Sequence, residues 1–204
     1  MSVVDTVFPL AIYRSDKYSF PNGEIDEFNR CRSSKGITVN VGKNLVTSDQ
    51  TYILNLPSLK KVRDFIEFNL DNYWHEIMKV DRRVPLKITQ SWLNFNPKGT
   101  HHHLHHHSNS IVSGVLFIQG KGQFTVERGM NHFPMWDLPY TEPTIFNSEK
   151  WEVEPTRGQL LLFPSCVKHM VKENKDEEER VSLSFNTMAR NSVGRRENLT
   201  EVVL

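Results

Sequence analysis

Residues 90–118 read QSWLNFNPKGTHHHLHHHSNSIVSGVLFI. The segment opens in period-two alternation, breaks at Pro97-Lys98-Gly99, and then places six of the chain's nine histidines in seven positions. It resumes as an apolar strand. Residues i and i+2 of a strand share a face, so an H-x-H pair at a strand entrance offers two imidazoles to one ion. Neutral imidazole suits iron, zinc, copper and nickel. His101, His103, His105 and His107 share one parity, and His102 and His106 share the other. Spacing alone does not choose among them, and a surface run that binds metal adventitiously is the plain alternative.

The same alternation extends outward. KITQSWLNF (87–95), IVSGVLFI (111–118), QFTV (123–126), WEVE (151–154), QLLLF (159–163) and VSLSFN (181–186) all read as strands. Pro and Gly punctuate them at PKG, QGKGQ, EPTRG and FPS. One helix precedes them: Ser58 is its expected N-cap, and Leu59, Val62, Ile66, Leu70, Tyr73 and Ile77 recur at three- and four-residue spacing. The pattern ends before Arg83 and Pro85. Earlier still, VFPLAIY, GITVNV and TYILNL read as short strands and loops. Many short strands with one helix imply a β-sandwich or barrel. Residues 128–150 form a long connection carrying Phe133, Trp136, Tyr140 and Phe146, with Trp151 after it. We expect it beside the mouth of a site, a loop pinned by its own aromatics being the alternative. The tail from Arg190 ends in LTEVVL, read as one more edge strand.

The 204 residues suit one domain: strands and a supporting helix over 1–86, a β core over 87–190 and a tail over 191–204. The net charge of +1 provides no basic field for nucleic acid. No apolar run approaches the length needed to span a bilayer, so no membrane partner is expected. The N-terminus lacks a basic leader region and reads as mature protein. Cys31 and Cys166 lie far apart and make a poor disulfide framework, so a reducing, cytoplasmic location is expected.

Two features beyond the run bear on chemistry. His169 follows the strand QLLLF and the turn PSCV, where a distal metal ligand would sit; taken alone, a structural histidine is the commoner case. Arg180 opens the strand RVSLSFN, and Ser182 shares its face. An arginine on a mostly apolar sheet needs an anionic partner, and its planar fork matches a carboxylate.

In this order the elements resemble the iron(II)- and 2-oxoglutarate-dependent oxygenases, in particular an oxygenase family common in marine bacteria and their phages. SWLNFNPKGTHHHLHHHSNSIVSGVLFI, VEPTRGQLLLFPSCVKHMV and ERVSLSFN carry the resemblance, across most of residues 88–188. The resemblance implies a mainly β fold, a double-stranded β-helix or jelly roll with an N-terminal helix packed on it. It implies Fe(II) as cofactor, 2-oxoglutarate as cosubstrate and O2 as oxidant. In this superfamily a glycine commonly precedes the first ligand by six residues, which from Gly99 selects His105 and His107, with His169 as the distal ligand. Arg180 and Ser182 match the element that holds the far carboxylate of 2-oxoglutarate. Asn94 and Asn96 match positions that touch the cosubstrate, and His102 a position expected to orient a ligand.

One departure stands out. His107 occupies the place where the commoner triad has a carboxylate. A third neutral ligand leaves the iron one unit more positive, which favours an anionic cosubstrate. The implied activity is hydroxylation with release of succinate and CO2, on a protein side chain or a small metabolite. A three-histidine cupin without 2-oxoglutarate, such as a thiol dioxygenase, and a non-enzymatic metal-binding jelly roll remain open at this point. So does the oligomeric state, a homodimer being one option. A phage-encoded chain would work in the host cytoplasm.

Overall fold

The two longest strand-like segments, Leu86–Asn96 and Arg180–Ala189, pair with each other in antiparallel register in a computed structural model that describes residues 3–32, 46–48, 50–129 and 139–204. In chain order the elements are β1 (Tyr13–Arg14), α1 (Asn22–Arg30), β2 (Val46–Thr47), α2 (Lys60–Asp71), β3 (Leu86–Asn96), β4 (His102–His105), β5 (Val112–Gln119) and β6 (Phe124–Glu127). They continue as β7 (Lys150–Val153), β8 (Leu160–Pro164), β9 (His169–Val171), β10 (Arg180–Ala189), β11 (Ser192–Val193) and β12 (Val202–Val203). One sheet has the order β1-β8-β5-β10-β3-β2, the other β4-β9-β6-β7. From β3 to β10 the chain passes back and forth between these sheets, which is the double-stranded β-helix.

Strand alternation gives the larger sheet two different faces. Leu93 and Phe95 of β3, Leu116 and Ile118 of β5, Leu160 and Leu162 of β8, and Leu183 and Phe185 of β10 pack with Val62, Ile66 and Leu70 of α2 and Phe28 of α1. Phe117, Leu161 and Phe163 face the other way and meet Phe124 and Val126 of the smaller sheet. The helices therefore seal one face, while the space between the sheets is closed by aromatics at one end and open at the other.

Several expectations for the N-terminal half change. TYILNL is not a strand: Ile53–Asn55 forms a 3-10 turn whose Ile53 and Leu54 are buried. VFPLAIY contributes only its last residue, in β1, and GITVNV lies outside the described residues. Residues 22–30 form a helix that period-two reading passed over; only Ile25 and Phe28 mark its apolar face. Ser58 does not cap α2, because it lies inside a 3-10 turn, Pro57–Leu59, that leads directly into the helix. At its far end α2 continues as a π-turn over Asn72–Ile77, with Met78 N–H donating to Tyr73 O at 2.9 Å. Each such turn takes up an extra residue. The apolar stripe rotates accordingly: Tyr73 stays buried and Ile77 is turned to solvent. The C-terminal strand β12 pairs with β11 in a hairpin of its own and not with the edge of either larger sheet.

Part of the 128–150 connection, residues 130–138 with Phe133 and Trp136, lies outside the described residues. The rest is held to the start of the connection by Arg128, which donates to the carbonyls of Phe146 at 2.9 Å and Ile145 at 2.5 Å. Tyr140, Phe146 and Trp151 are about half exposed, and none lines the cavity described below.

Gly114 sits where β5 passes the Phe185 ring. A Cβ there would lie 2.2 Å from Phe185 Cζ and 2.9 Å from a Leu162 methyl. Gly114→Val should cost roughly 1–3 kcal/mol in denaturant unfolding, the usual price of overpacking a core; an unchanged midpoint would mean the ring moves aside freely.

Candidate metal centre

The inner face of the β3–β10 ladder is polar. Gln90, Trp92, Asn94 and Asn96 project from β3, and Arg180, Ser182 and Ser184 from β10, into a cavity of about 510 Å³ between the sheets. The register sets Arg180 opposite Asn96, Ser182 opposite Asn94 and Ser184 opposite Trp92. The histidines of β4 and β9 face this lattice from the smaller sheet.

His105, His107 and His169 converge: their ligand nitrogens all lie within 4.8 Å of one another. Each is fixed differently. His105 pairs directly with His169 across β4 and β9. Its Nδ1 lies 2.7 Å from the His103 carbonyl oxygen. His169 is 3% exposed, its ring lying between Phe124 and Phe163 at centroid distances of 5.2 and 4.7 Å. Its Nδ1 lies 2.9 Å from the Val167 carbonyl oxygen. A carbonyl only accepts, so both rings carry their proton on Nδ1 and leave an Nε2 lone pair for an ion. His107 is placed by its backbone, whose N–H donates to Ser165 O at 3.0 Å. Ser165 is itself fully buried and bonded to Ser113 and Ser110 at 2.8 and 2.7 Å.

Burial, the largest cause in each case, holds these imidazoles neutral. It depresses His169 to about 3 and His107 to about 4, and it lowers His105 as well. Three neutral nitrogen donors on one side of a cavity fit a divalent transition metal and leave room for other ligands.

Strict alternation along the histidine run does not hold. A β-bulge between His102 and His105 brings His102 opposite Val171 and His105 opposite His169. His102 therefore lines the cavity three residues before His105, and His103, although more exposed, reaches its rim as well. The expectation that His102 orients a ligand histidine is not met by its contact: its Nε2 lies 3.2 Å from Asn96 Oδ1. Neither His102 nor His103 belongs to the three-nitrogen cluster, so neither is placed as the fourth ligand a closed zinc site would need.

Arg180 is the second element of the site. It is 2% exposed, and its Nη2 donates to the Lys172 carbonyl oxygen at 3.0 Å. Among the described residues no carboxylate pairs with it, and it is the one charged residue among those lining the cavity. Burial lowers its pKa to about 10, so it stays charged at neutral pH. Ser182 is 7% exposed on the same face. Asn94 donates to Ser184 Oγ at 2.9 Å, and its own oxygen meets no donor among the described residues, whereas Asn96 is engaged at both ends, by Thr100 and His102. The structure thus brings every expected site residue to one cavity. Trp92, whose ring lies 6.2 Å from that of His107, and Gln90 were not expected there. Their shared parity with Asn94 and Asn96 was the available signal.

Residues 90–186 match the family model described as "Putative 2OG-Fe(II) oxygenase". No curated protein matches by sequence. Among solved structures, a Pseudomonas putida prolyl-4-hydroxylase is similar at TM-score 0.54 and 14% identity, over 87% of this chain and 92% of that one. The epimerase SnoN from nogalamycin biosynthesis is similar at TM-score 0.59 and 12% identity, over 88% and 78% of the two chains. HygX from Streptomyces hygroscopicus, solved with nickel, 2-oxoglutarate and hygromycin B bound, is similar at TM-score 0.53 and 14% identity, over 87% and 82%. At these identities the likeness is one of fold.

Alanine in place of His105, His107 or His169 should abolish stoichiometric binding of a divalent metal, read by equilibrium dialysis and metal analysis. His101→Ala and His106→Ala should retain it. Loss in His103→Ala with retention in His107→Ala would move the centre to a different set.

Proposed function

We propose that the chain, whose residues 90–186 match the 2OG-Fe(II) oxygenase family model, is an oxygenase of that kind and hydroxylates a C–H bond of its substrate at the three-histidine cluster. One juxtaposition supports the reading. A set of neutral imidazoles within 4.8 Å of one another shares a cavity with a buried arginine that has no carboxylate partner among the described residues. The cluster suits a metal, and the arginine suits a dianion whose other end reaches that metal. Bound there, iron(II) with 2-oxoglutarate and dioxygen supplies the oxidising chemistry, in which succinate and carbon dioxide form and one oxygen atom enters the substrate.

The chain's own residues divide the remaining work. His105, His107 and His169 would hold the ion through neutral nitrogens, so no protein charge offsets it, and an anionic cosubstrate gains in affinity. The part of the Arg180 fork not engaged by Lys172 would grip the far carboxylate of 2-oxoglutarate, with the Ser182 hydroxyl beside it. The Asn94 oxygen, which meets no donor among the described residues, would accept from the cosubstrate or from water bound with it. Asn96, committed to Thr100 and His102, would act by holding the cavity wall in place. Val115, Phe117 and Phe124 line the inner end and would keep bulk water from it. A cupin acting without 2-oxoglutarate would leave Arg180 buried with no anion to meet, which weighs against that alternative.

We take the substrate to be a protein side chain or a small metabolite, since the net charge of +1 offers no field for nucleic acid. Among the described residues no helix is long and apolar enough to cross a membrane. Cys31 and Cys166 are free thiols, in keeping with the reducing, cytoplasmic location we propose.

Two variants test the assignment. Arg180→Leu should bind iron normally and lose about 2–4 kcal/mol of 2-oxoglutarate binding, the cost of removing one partner of a buried charge-assisted pair. Anaerobic titration of the iron-loaded protein reads it, and an unchanged affinity would place the anion elsewhere. His107→Asp should keep iron while weakening 2-oxoglutarate, because a carboxylate reduces the positive charge at the ion. Full succinate formation by His107→Ala would remove His107 from the required set.

A further inference from the structure

Between β9 and β10 the chain runs through an acidic stretch, Glu173–Asn174–Lys175–Asp176–Glu177–Glu178–Glu179, in which the one fully amide-bearing residue is also the one that is buried. Asn174 is 5% exposed, while its neighbours on both sides are exposed. Its backbone and side chain together make five hydrogen bonds. Gly99 N–H donates to its carbonyl oxygen at 2.8 Å, and its own N–H donates to Thr100 O at 2.8 Å. Its side-chain Nδ2 donates to Asn96 O and to Glu178 O, both at 2.9 Å. Its Oδ1 accepts from Asp176 N–H at 3.2 Å. Both amide hydrogens and the amide oxygen are used, so the side chain's donors and acceptor match this junction.

The partners belong to three different pieces of the site. Asn96 ends β3 and stands opposite Arg180 in the ladder. Gly99 and Thr100 form the turn that delivers the chain to His102 and His105; Gly99 takes φ +84° there, a conformation that glycine adopts without strain. Glu178 lies two residues before Arg180. Lys172, two residues before Asn174, supplies the carbonyl that receives Arg180 Nη2. One residue therefore ties these pieces: its backbone holds the Gly99–Thr100 turn that leads to the histidine strand, and its side chain joins the end of β3 to the segment that enters Arg180.

We propose that Asn174 is a positioning residue that sets the Arg180 fork relative to the histidine strand, and so fixes the span between anion site and metal site. This rests on the roles proposed above for Arg180 and the histidines. Oppositely charged pairs from other elements, Lys98 with Glu177, Lys121 with Asp176 and Arg32 with Glu179, also attach the acidic stretch. They are solvent-exposed and contribute little each. Removing the amide leaves the Asn96 and Glu178 carbonyls without a donor inside the junction, a far larger local change than losing any one of those pairs.

The test compares Asn174→Ala and the near-isosteric Asn174→Asp with Lys175→Ala, an exposed neighbour outside the junction. Asp keeps the acceptor toward Asp176 N–H but faces two carbonyls with an oxygen. Both Asn174 variants should raise the KM for 2-oxoglutarate by roughly 10- to 100-fold, as misplacement of a positioned group by an ångström does. Turnover at saturating 2-oxoglutarate and iron stoichiometry should change far less, and Lys175→Ala should behave as wild type. In the metal-free protein the Gly99 amide should exchange its hydrogen faster in both variants, a readout independent of catalysis. In the unmodified protein, 2-oxoglutarate added with iron should slow exchange at the Gly99 and Asn174 amides, which holds the test open even if a variant fails to fold. Lowered thermal stability with an unchanged KM, or no protection of these amides in the unmodified protein, would overturn the proposal and leave Asn174 a structural residue. If Arg180→Leu binds 2-oxoglutarate as wild type does, the functional reading has failed instead, and Gly99 exchange in the metal-free variants still judges whether Asn174 holds the junction.

Discussion

Ten residues of β10 pair with β3, from Arg180 opposite Asn96 to Ala189 opposite Leu86. Side chains alternate along a strand, so this one register decides which residues meet the helices and which meet the cavity. Leu93, Phe95 and Leu183 go outward into the core, and Asn94, Asn96, Arg180 and Ser182 go inward. A slip by one residue would bury an arginine under α2 and expose Phe95 to the cavity. The apolar packing of the outer face therefore holds the polar inner face in place, and the position of the buried arginine is a consequence of where the core residues fall.

The second support is the turn after β8. Its Val167 carbonyl sets the tautomer of His169, and its Ser165 carbonyl receives the N–H of His107. Two of the three imidazoles are thus held by one short segment, itself pinned by the buried hydroxyls of Ser113 and Ser165 and the half-buried one of Ser110. The third, His105, is held by the strand pairing that joins it to His169. None of this support involves a charged group, in keeping with a site that keeps its ligands neutral.

The β core was legible because period-two alternation is a direct image of a sheet with two unlike faces, and every segment read that way from 87 to 186 became a strand. The helix α2 was legible for the same reason, although its ends were not: a 3-10 turn precedes it and a π-turn follows, and both depend on tertiary packing. The N-terminal segment was harder. TYILNL has strand-like composition, yet Leu54 N–H is satisfied by the Ser91 hydroxyl on β3, and the segment curls over the sheet without extending it. Within the histidine run, spacing could not choose a ligand set, and the resemblance did. The β-bulge explains why: parity fails between His102 and His105, so counting by twos loses its meaning inside the run. Asn174 was illegible for another reason, since a single amide in an acidic stretch carries no periodic signal and its partners are distant in sequence.

The buried guanidinium has a consequence for how turnover would end. In the proposed reaction the carboxylate that Arg180 holds is untouched: the bond that breaks lies at the other end of the cosubstrate. Succinate would leave with the same terminal group that 2-oxoglutarate brought in, and the same fork would hold it. With no competing anion among the described lining residues to displace the product, release would require the Arg180 contact itself to break, helped only by a weaker hold at the metal end. Such a catalyst senses the ratio of two metabolites rather than the level of one, and its pace would fall as the spent acid accumulates around it.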